Sequence, residues 1–356
     1  MNEASHGVLL EEFAAGRKAA LARAISIVEN HRRGFDDLLA ALHPRLGRAR
    51  RIGITGPPGA GKSTLTTALT RAYRAEGLTV GIVAVDPTSP FTGGALLGDR
   101  IRMEDVALDP GVFIRSLATR GSLGGLSAAT RETCDVLDAF GIDRILIETV
   151  GVGQSELDVA RTSDTTLVVL VPESGDSIQT LKAGLMEIAD VFTVNKADRP
   201  GADRLRNEIE VMLGMRAGAM SHGAAGHHGV DLSQNSIRQQ VRAASAEDDP
   251  SRWTPPVLRT SAVKGEGIEA LVDALDRHFR DLEESGTLRA RRRTRLRDRV
   301  VEVVEDKTRR RLWTDAATNT WLDARLADLE SGATTPFAIA DDLLGRSADL
   351  LTRTST

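Results

Sequence analysis

The sequence predicts an α/β fold: a mostly parallel sheet with helices on both faces, a helical extension before it and a helical arm after it. Three observations predict this. From residue 51 to about residue 262, short β-branched runs alternate with amphipathic segments, the pattern of strands joined by crossover helices. The run RIGIT passes straight into GPPGAGKS (residues 56–63) and then into helical TLTTALTRAYRA, so strand, glycine-rich turn and helix follow one another. Helical periodicity without strands flanks this region on both sides.

Taken in order, residues 8–43 read as helical. Leu9, Leu10, Phe13, Leu21, Ile25 and Val28 fall near one face, and Phe35, Leu38, Leu39 and Leu42 follow. His43-Pro44 ends the run. Strands are expected at 51–55, 78–85, 112–117, 144–149, 166–171, 191–195 and 257–260, with helices at 64–76, 124–139, 177–188 and 203–214. Residues 216–250, rich in Gly, Ala, Ser and His, interrupt the rhythm as a flexible insertion. Residues 267–284 form an amphipathic helix that closes the domain. The arginine-rich stretch 287–313 predicts a helix of roughly 40 Å. Its apolar stripe of Leu296, Val300, Val303 and Val304 suits a partner helix better than nucleic acid. Helical segments at 315–330 and 337–344 complete the chain. The expected domains are 1–47, 48–285 and 286–356.

Composition sets bounds on function. With 356 residues and 41% hydrophobic content, the chain can bury a large core and has room for appendages. Aromatics are 3% and the net charge is −4, which argues against base-stacking platforms and against a dedicated nucleic-acid protein. The N-terminus lacks the basic-then-apolar order of a secretory signal, and no apolar run is long enough to span a bilayer. A single cysteine, Cys134, excludes an internal disulfide or a CxxC metal site. A cytoplasmic protein is the expectation.

Three motifs carry chemistry. Gly56, Pro57, Pro58, Gly59, Ala60, Gly61, Lys62, Ser63 and Thr64 fit a phosphate loop. Its glycines let backbone N–H groups wrap phosphates at a helix N-terminus. Lys62 would add charge at the β- and γ-phosphates, and Ser63 a hydroxyl for Mg²⁺. An ordinary glycine-rich turn is the plain alternative, and the flanking strand and helix weigh against it. Asn195, Lys196, Ala197 and Asp198, at a strand end, match the NKxD guanine motif. An aspartate there accepts from guanine N1–H and the exocyclic amine, a pair adenine cannot supply. Ser261, Ala262 and Val263 follow the last strand, where a backbone turn meets the guanine carbonyl. Oxygen ligands for Mg²⁺ are expected from Ser63, Asp86, Asp99 and Glu148. Glu148 stands where Ras-like GTPases carry the aspartate of DxxG, one methylene shorter.

At these residues the chain resembles the MeaB/ArgK-type P-loop GTPases, chaperones of adenosylcobalamin-dependent acyl-CoA mutases. The resemblance runs over residues 8–313 and rests on GPPGAGKST, VAVDPTSPFTGGALLGDRIRM, FIRSLATRGSLGGLS, LIETVGVGQSE, SGDSIQTLKAGLMEIAD, VNKAD and WTPPVLRTSAVKGEGI. It implies GTP hydrolysis that gates adenosylcobalamin delivery to a mutase and helps protect it. Methylmalonyl-CoA mutase, or a relative such as isobutyryl- or 2-hydroxyisobutyryl-CoA mutase, would be the client. It further implies a homodimer built on the long helix, and switch segments near 86–105, 149–160 and 174–188. Cobalamin is expected only through the partner, since the chain has no DxHxxG motif. Lys182, in the third switch, is a candidate for the nucleotide phosphates; Gln154, three residues past Gly151, is the candidate to position water. A nickel metallochaperone of the hydrogenase/urease type, or a transport-system protein kinase, are the competing readings.

Overall fold

Among the described residues, seven strands lie where the apolar runs place them: β1 (Arg50–Thr55), β2 (Val80–Pro87), β3 (Val112–Thr119), β4 (Arg144–Thr149), β5 (Thr165–Leu170), β6 (Val191–Val194) and β7 (Val257–Arg259). They form one sheet of order β3-β2-β4-β1-β5-β6-β7, and every pairing is parallel. The computed structural model describes residues 3–87, 103–119, 128–149, 155–172, 183–216 and 253–352. Most of the insertion, 217–250, lies outside them, as do residues 353–356.

Alternation along each strand builds two faces. Val83, Val85, Ile145 and Ile147 point into one core with helix α6 (Ala128–Phe140) and helix α7 (Ser155–Thr162), while Ile82, Leu146, Leu167 and Val169 point into the other. The second core is closed by α4 (Lys62–Ala75), α5 (Glu104–Ala107) and α10 (Ile268–Glu284). At the β5-β6-β7 edge, α8 (Ala183–Ile188) and α9 (Ala202–Arg216) cover a third cluster around Phe192. Gly53 admits α7 unusually close to β1: a Cβ there would lie 2.2 Å from Val159 Cγ1. α10 is pinned by His278, whose ring takes a 2.8 Å hydrogen bond with Thr165 Oγ1 and sits 3.2 Å from Asp190.

The N-terminal run is three helices, where the periodicity alone reads as one stretch. They are α1 (Glu3–Ala14), α2 (Lys18–Glu29) and α3 (Phe35–Leu42), with the chain turning at Gly16 (φ +74°) and Gly34 (φ +88°). Both turns need the left-handed backbone that glycine adopts without cost. The helix end at His43-Pro44 is one 3₁₀ turn, His43–Arg45. The expected apolar face is the buried one: Phe13, Leu21, Ile25, Val28, Leu38 and Leu42 join the core over α6. At about 1.5–3 kcal/mol for each large side chain buried, this docking dominates the energetics of the extension. Phe13 meets Phe140 edge-on at 5.0 Å, and Lys18 Nζ donates to Val112 O at 3.0 Å.

One buried carboxylate joins the extension to the sheet. Asp138 on α6 accepts from the backbone N–H groups of Gly47, Arg48 and Ala49 at 2.9–3.0 Å, and Arg51 Nη2 reaches it at 3.2 Å. Asp135 takes the same guanidinium at 2.8 Å.

The chain divides into two compact units, residues 1–288 and 289–356. The second consists of most of α11 (Thr287–Thr314) with α12 (Ala316–Asp323), α13 (Leu326–Glu330) and α14 (Pro336–Thr352). The expected single segment 315–330 is two helices, and the last helix is longer than 337–344. Asp315 caps α12 by accepting from Thr318 N at 3.0 Å. Arg325 stacks on Trp321 at 3.7 Å. On α11, Leu296, Val300 and Val304 are all more than half exposed.

Replacing Asp138 by Ala takes the acceptor from three consecutive N–H groups, that of buried Ala49 among them, and weakens an ion pair. The expected loss is about 3 kcal/mol, read as a lower urea midpoint with unchanged slope.

Candidate functional site

The carboxyl ends of parallel strands form the natural crevice for a ligand, and the sequence motifs fall there. β1 ends at Thr55, the loop 56–61 follows, and α4 begins at Lys62. Two glycines are sterically required. A Cβ at Gly56 (φ +140°) would lie 2.1 Å from Val169 O, and one at Gly61 (φ +84°) would lie 2.5 Å from Asn195 Nδ2. Pro58, Gly59 and Thr64 are exposed, while Ala60 is buried under the loop. Lys62 curls over the loop: its Nζ donates to Gly56 O at 2.8 Å and Pro57 O at 3.0 Å. The ammonium is thus already held across the cradle that backbone N–H groups and the α4 N-terminus form.

The metal end is built between α4 and β4. Ser63 Oγ donates to Glu148 Oε1 at 2.5 Å, and Thr66 Oγ1 lies 3.0 Å from Glu148 Oε2. Glu148 is almost wholly buried yet opens onto the loop through Ser63. A hydroxyl and a carboxylate beside a phosphate loop are hard oxygen donors, the set Mg²⁺ requires. Asp86 is the penultimate residue of neighbouring β2, in register with Ala118 of β3; its side chain lies outside the described part. Asp99, Gln154 and Lys182 lie outside the described residues, as do large parts of the three expected switch segments.

The base end depends on one amide. Asn195, buried just after β6, donates from Nδ2 to Ala60 O at 2.9 Å. Its Oδ1 accepts from Ala262 N at 3.2 Å and Thr260 Oγ1 at 3.3 Å. Lys196 adopts φ +54°, a conformation that costs a non-glycine residue about 1–2 kcal/mol. That turn brings Asp198 beside the loop after β7, where Ser261 Oγ donates to its Oδ1 at 3.3 Å and Lys264 Nζ lies 3.3 Å from its Oδ2. The Asp198 carboxyl is held below its ordinary range chiefly by its own backbone N–H; desolvation, the next effect in size, opposes this, and Lys264 and Ser261 add to the lowering. It therefore stays ionised, an acceptor at every ordinary pH. Val263 is exposed at the loop tip.

Sequence reasoning missed Thr66, Thr260 and Lys264. Thr66 is one of two threonines a helical turn beyond Ser63, and only its distance to Glu148 distinguishes it. The other two required the loop geometry.

A phosphate loop on the central strand of a parallel sheet, with an NKxD turn two strands away, defines a P-loop GTPase. The comparisons with known proteins agree. The family model described as methylmalonyl-CoA mutase-associated GTPase MeaB matches residues 21–317, and the chain belongs to that family. A Pyrococcus horikoshii protein named as a GTPase is 47% identical over 296 residues, covering 83% of this chain and 84% of the relative. The mouse protein named methylmalonic aciduria type A homolog, mitochondrial, is 31% identical over 94% of this chain and 76% of its own length. The solved structure of an LAO/AO transport system kinase superposes with TM-score 0.64 at 27% identity, over 97% of this chain and 98% of that one. Guanine nucleotide and Mg²⁺ thus belong to the chemistry of this GTPase. No helix among the described residues is long and apolar enough to cross a membrane.

Replacing Asn195 by Ala removes the amide that joins phosphate loop and base loop. GDP should dissociate about tenfold faster, equivalent to losing roughly 1.4 kcal/mol, as read by stopped-flow release of a fluorescent GDP.

Proposed function

We propose that the protein is the G-protein chaperone of an adenosylcobalamin-dependent acyl-CoA mutase, with GTP hydrolysis timing cofactor delivery and protection. The observation that carries the reading is the match over residues 21–317 to a family described by its association with methylmalonyl-CoA mutase. The name of the mouse relative points to the same metabolism, and methylmalonyl-CoA mutase is therefore the first client to test, ahead of its isobutyryl and 2-hydroxyisobutyryl relatives. Adenosylcobalamin would be met through that partner.

In this reading Lys62 turns from the carbonyls of Gly56 and Pro57 to the β- and γ-phosphates, an exchange of one set of oxygen acceptors for another. The backbone N–H groups of 59–64 hold the phosphates. Ser63, Glu148, Asp86 and Asp99 would hold Mg²⁺, which would supply neutralising charge where the leaving phosphate develops it. Asp198 reads the two N–H donors of guanine, while Ser261, Ala262 and Val263 line its carbonyl edge and Lys196 its face. Gln154 and Lys182 act at the γ-phosphate when the partner is engaged. Hydrolysis is slow alone and accelerated by the mutase. The exposed stripe Leu296, Val300 and Val304 supports a homodimer through the arm. Residues 1–47, 48–285 and 286–356 then serve as extension, nucleotide domain and dimer arm.

A nickel-delivery role finds no support at Cys134. That thiol is fully buried, and desolvation pushes it up to about 12, so it offers no thiolate ligand. The kinase reading draws on the name of the structural relative. It predicts γ-phosphate transfer to protein, whereas the present reading predicts free phosphate.

The test is turnover of γ-labelled GTP with and without purified methylmalonyl-CoA mutase. Release of free phosphate, accelerated severalfold by the mutase, is expected; label on protein, or indifference to every acyl-CoA mutase, overturns the reading. Asp198→Asn exchanges two acceptors for an amide that can donate. Affinity should move from GTP toward XTP by at least about 100-fold in ratio, measured by competitive nucleotide binding.

A further inference from the structure

Both oxygens of Glu148 are engaged from the same helix. Ser63 Oγ reaches Oε1 at 2.5 Å, and Thr66 Oγ1 stands 3.0 Å from Oε2. Ser63 and Thr66 are three residues apart and share one face of α4. The Thr66 hydroxyl has one proton and two acceptors within reach, since Lys62 O lies at 2.9 Å. That carbonyl is four residues back and is already the acceptor of the helix N–H ladder. The carboxylate is the charged and stronger acceptor. The proton therefore belongs to Glu148.

We propose that Thr66 is a positioning residue for Mg²⁺. It fixes the Glu148 carboxylate, which in turn fixes the Ser63 hydroxyl with its proton on Oε1 and its lone pairs free for the cation. This inference rests on the reading of Ser63 and Glu148 as the metal end of the site. It also explains the glutamate. The last torsion of a glutamate side chain is broad, so the longer carboxylate would turn freely without a second anchor. Thr66 is fully buried and supplies that anchor from one helical turn beyond Ser63. Partners of this kind are worth about 10–100-fold in metal affinity.

The experiment follows release of a fluorescent GDP from the full chain at rising free Mg²⁺, for wild type, Thr66→Val, Thr66→Ser and Ser63→Ala. Valine keeps the shape of threonine and removes the hydroxyl; serine keeps the hydroxyl. Thr66→Val should need about tenfold more Mg²⁺ to slow release half-maximally. Its release in excess EDTA should match wild type, and Thr66→Ser should restore the Mg²⁺ dependence. A wild-type Mg²⁺ midpoint in Thr66→Val overturns the proposal. So does equal acceleration with and without Mg²⁺, which marks a purely packing role, or a serine variant as impaired as the valine one. Ser63→Ala separates the two levels. If its midpoint shifts while that of Thr66→Val does not, the Thr66 role alone fails; if neither shifts, the metal assignment fails with it.

Discussion

The Asn195 side chain is the contact on which the site depends. One buried amide spans three loops: it donates to Ala60 in the phosphate loop, and accepts from Thr260 and Ala262 after β7. Each bond is worth about 1 kcal/mol net, but Ala60 and Thr260 are buried and Ala262 half-buried, so losing the amide leaves desolvated groups unsatisfied. The rest of the site is arranged around that constraint. Gly61 is glycine because a Cβ would strike this amide. Lys196 accepts a left-handed backbone because the chain must leave β6 with Asn195 pointing inward and Asp198 beside Ser261 and Lys264 after β7. The phosphate loop and the turn after β7 are separate in sequence and mechanically one in space.

Much of this was legible in the sequence. The seven apolar runs locate the seven strands because a parallel sheet covered on both faces leaves its strands no polar side, and their hydrophobicity is nearly continuous. The phosphate loop and NKxD turn were legible because their chemistry tolerates few substitutes. Three things were not. The breaks at Gly16 and Gly34 were hidden by an apolar periodicity that continues across them, although both glycines were in plain view. Thr66 reads as one of several threonines in TLTTALT, and only the distance to Glu148 singles it out. Lys264 reads as a solvated loop lysine until the turn after β7 carries it to Asp198.

The extension illustrates how a weak local signal becomes a strong tertiary one. Its helices are short, and helices of 8 to 12 residues have little stability alone in water. They persist because Phe13, Leu21, Ile25 and Leu38 complete the core over α6, and because Asp138 gathers the chain just before β1. The carboxylate does for the connection what a cap does for a helix: it satisfies consecutive N–H groups that the turn into β1 leaves without ladder partners.

The separation of Asn195 from its partners also orders the birth of the site. Its bond to Ala60 spans 135 residues, and its bond to Ala262 spans a further 67. Contacts of that range bear a loop-closure cost before they return anything. As the chain emerges during synthesis, β1 and its glycine loop exist long before β7 and the turn at Ala262. The phosphate loop is therefore made long before the turn to which Asn195 ties it, and the amide can join the two only once Ala262 has been added.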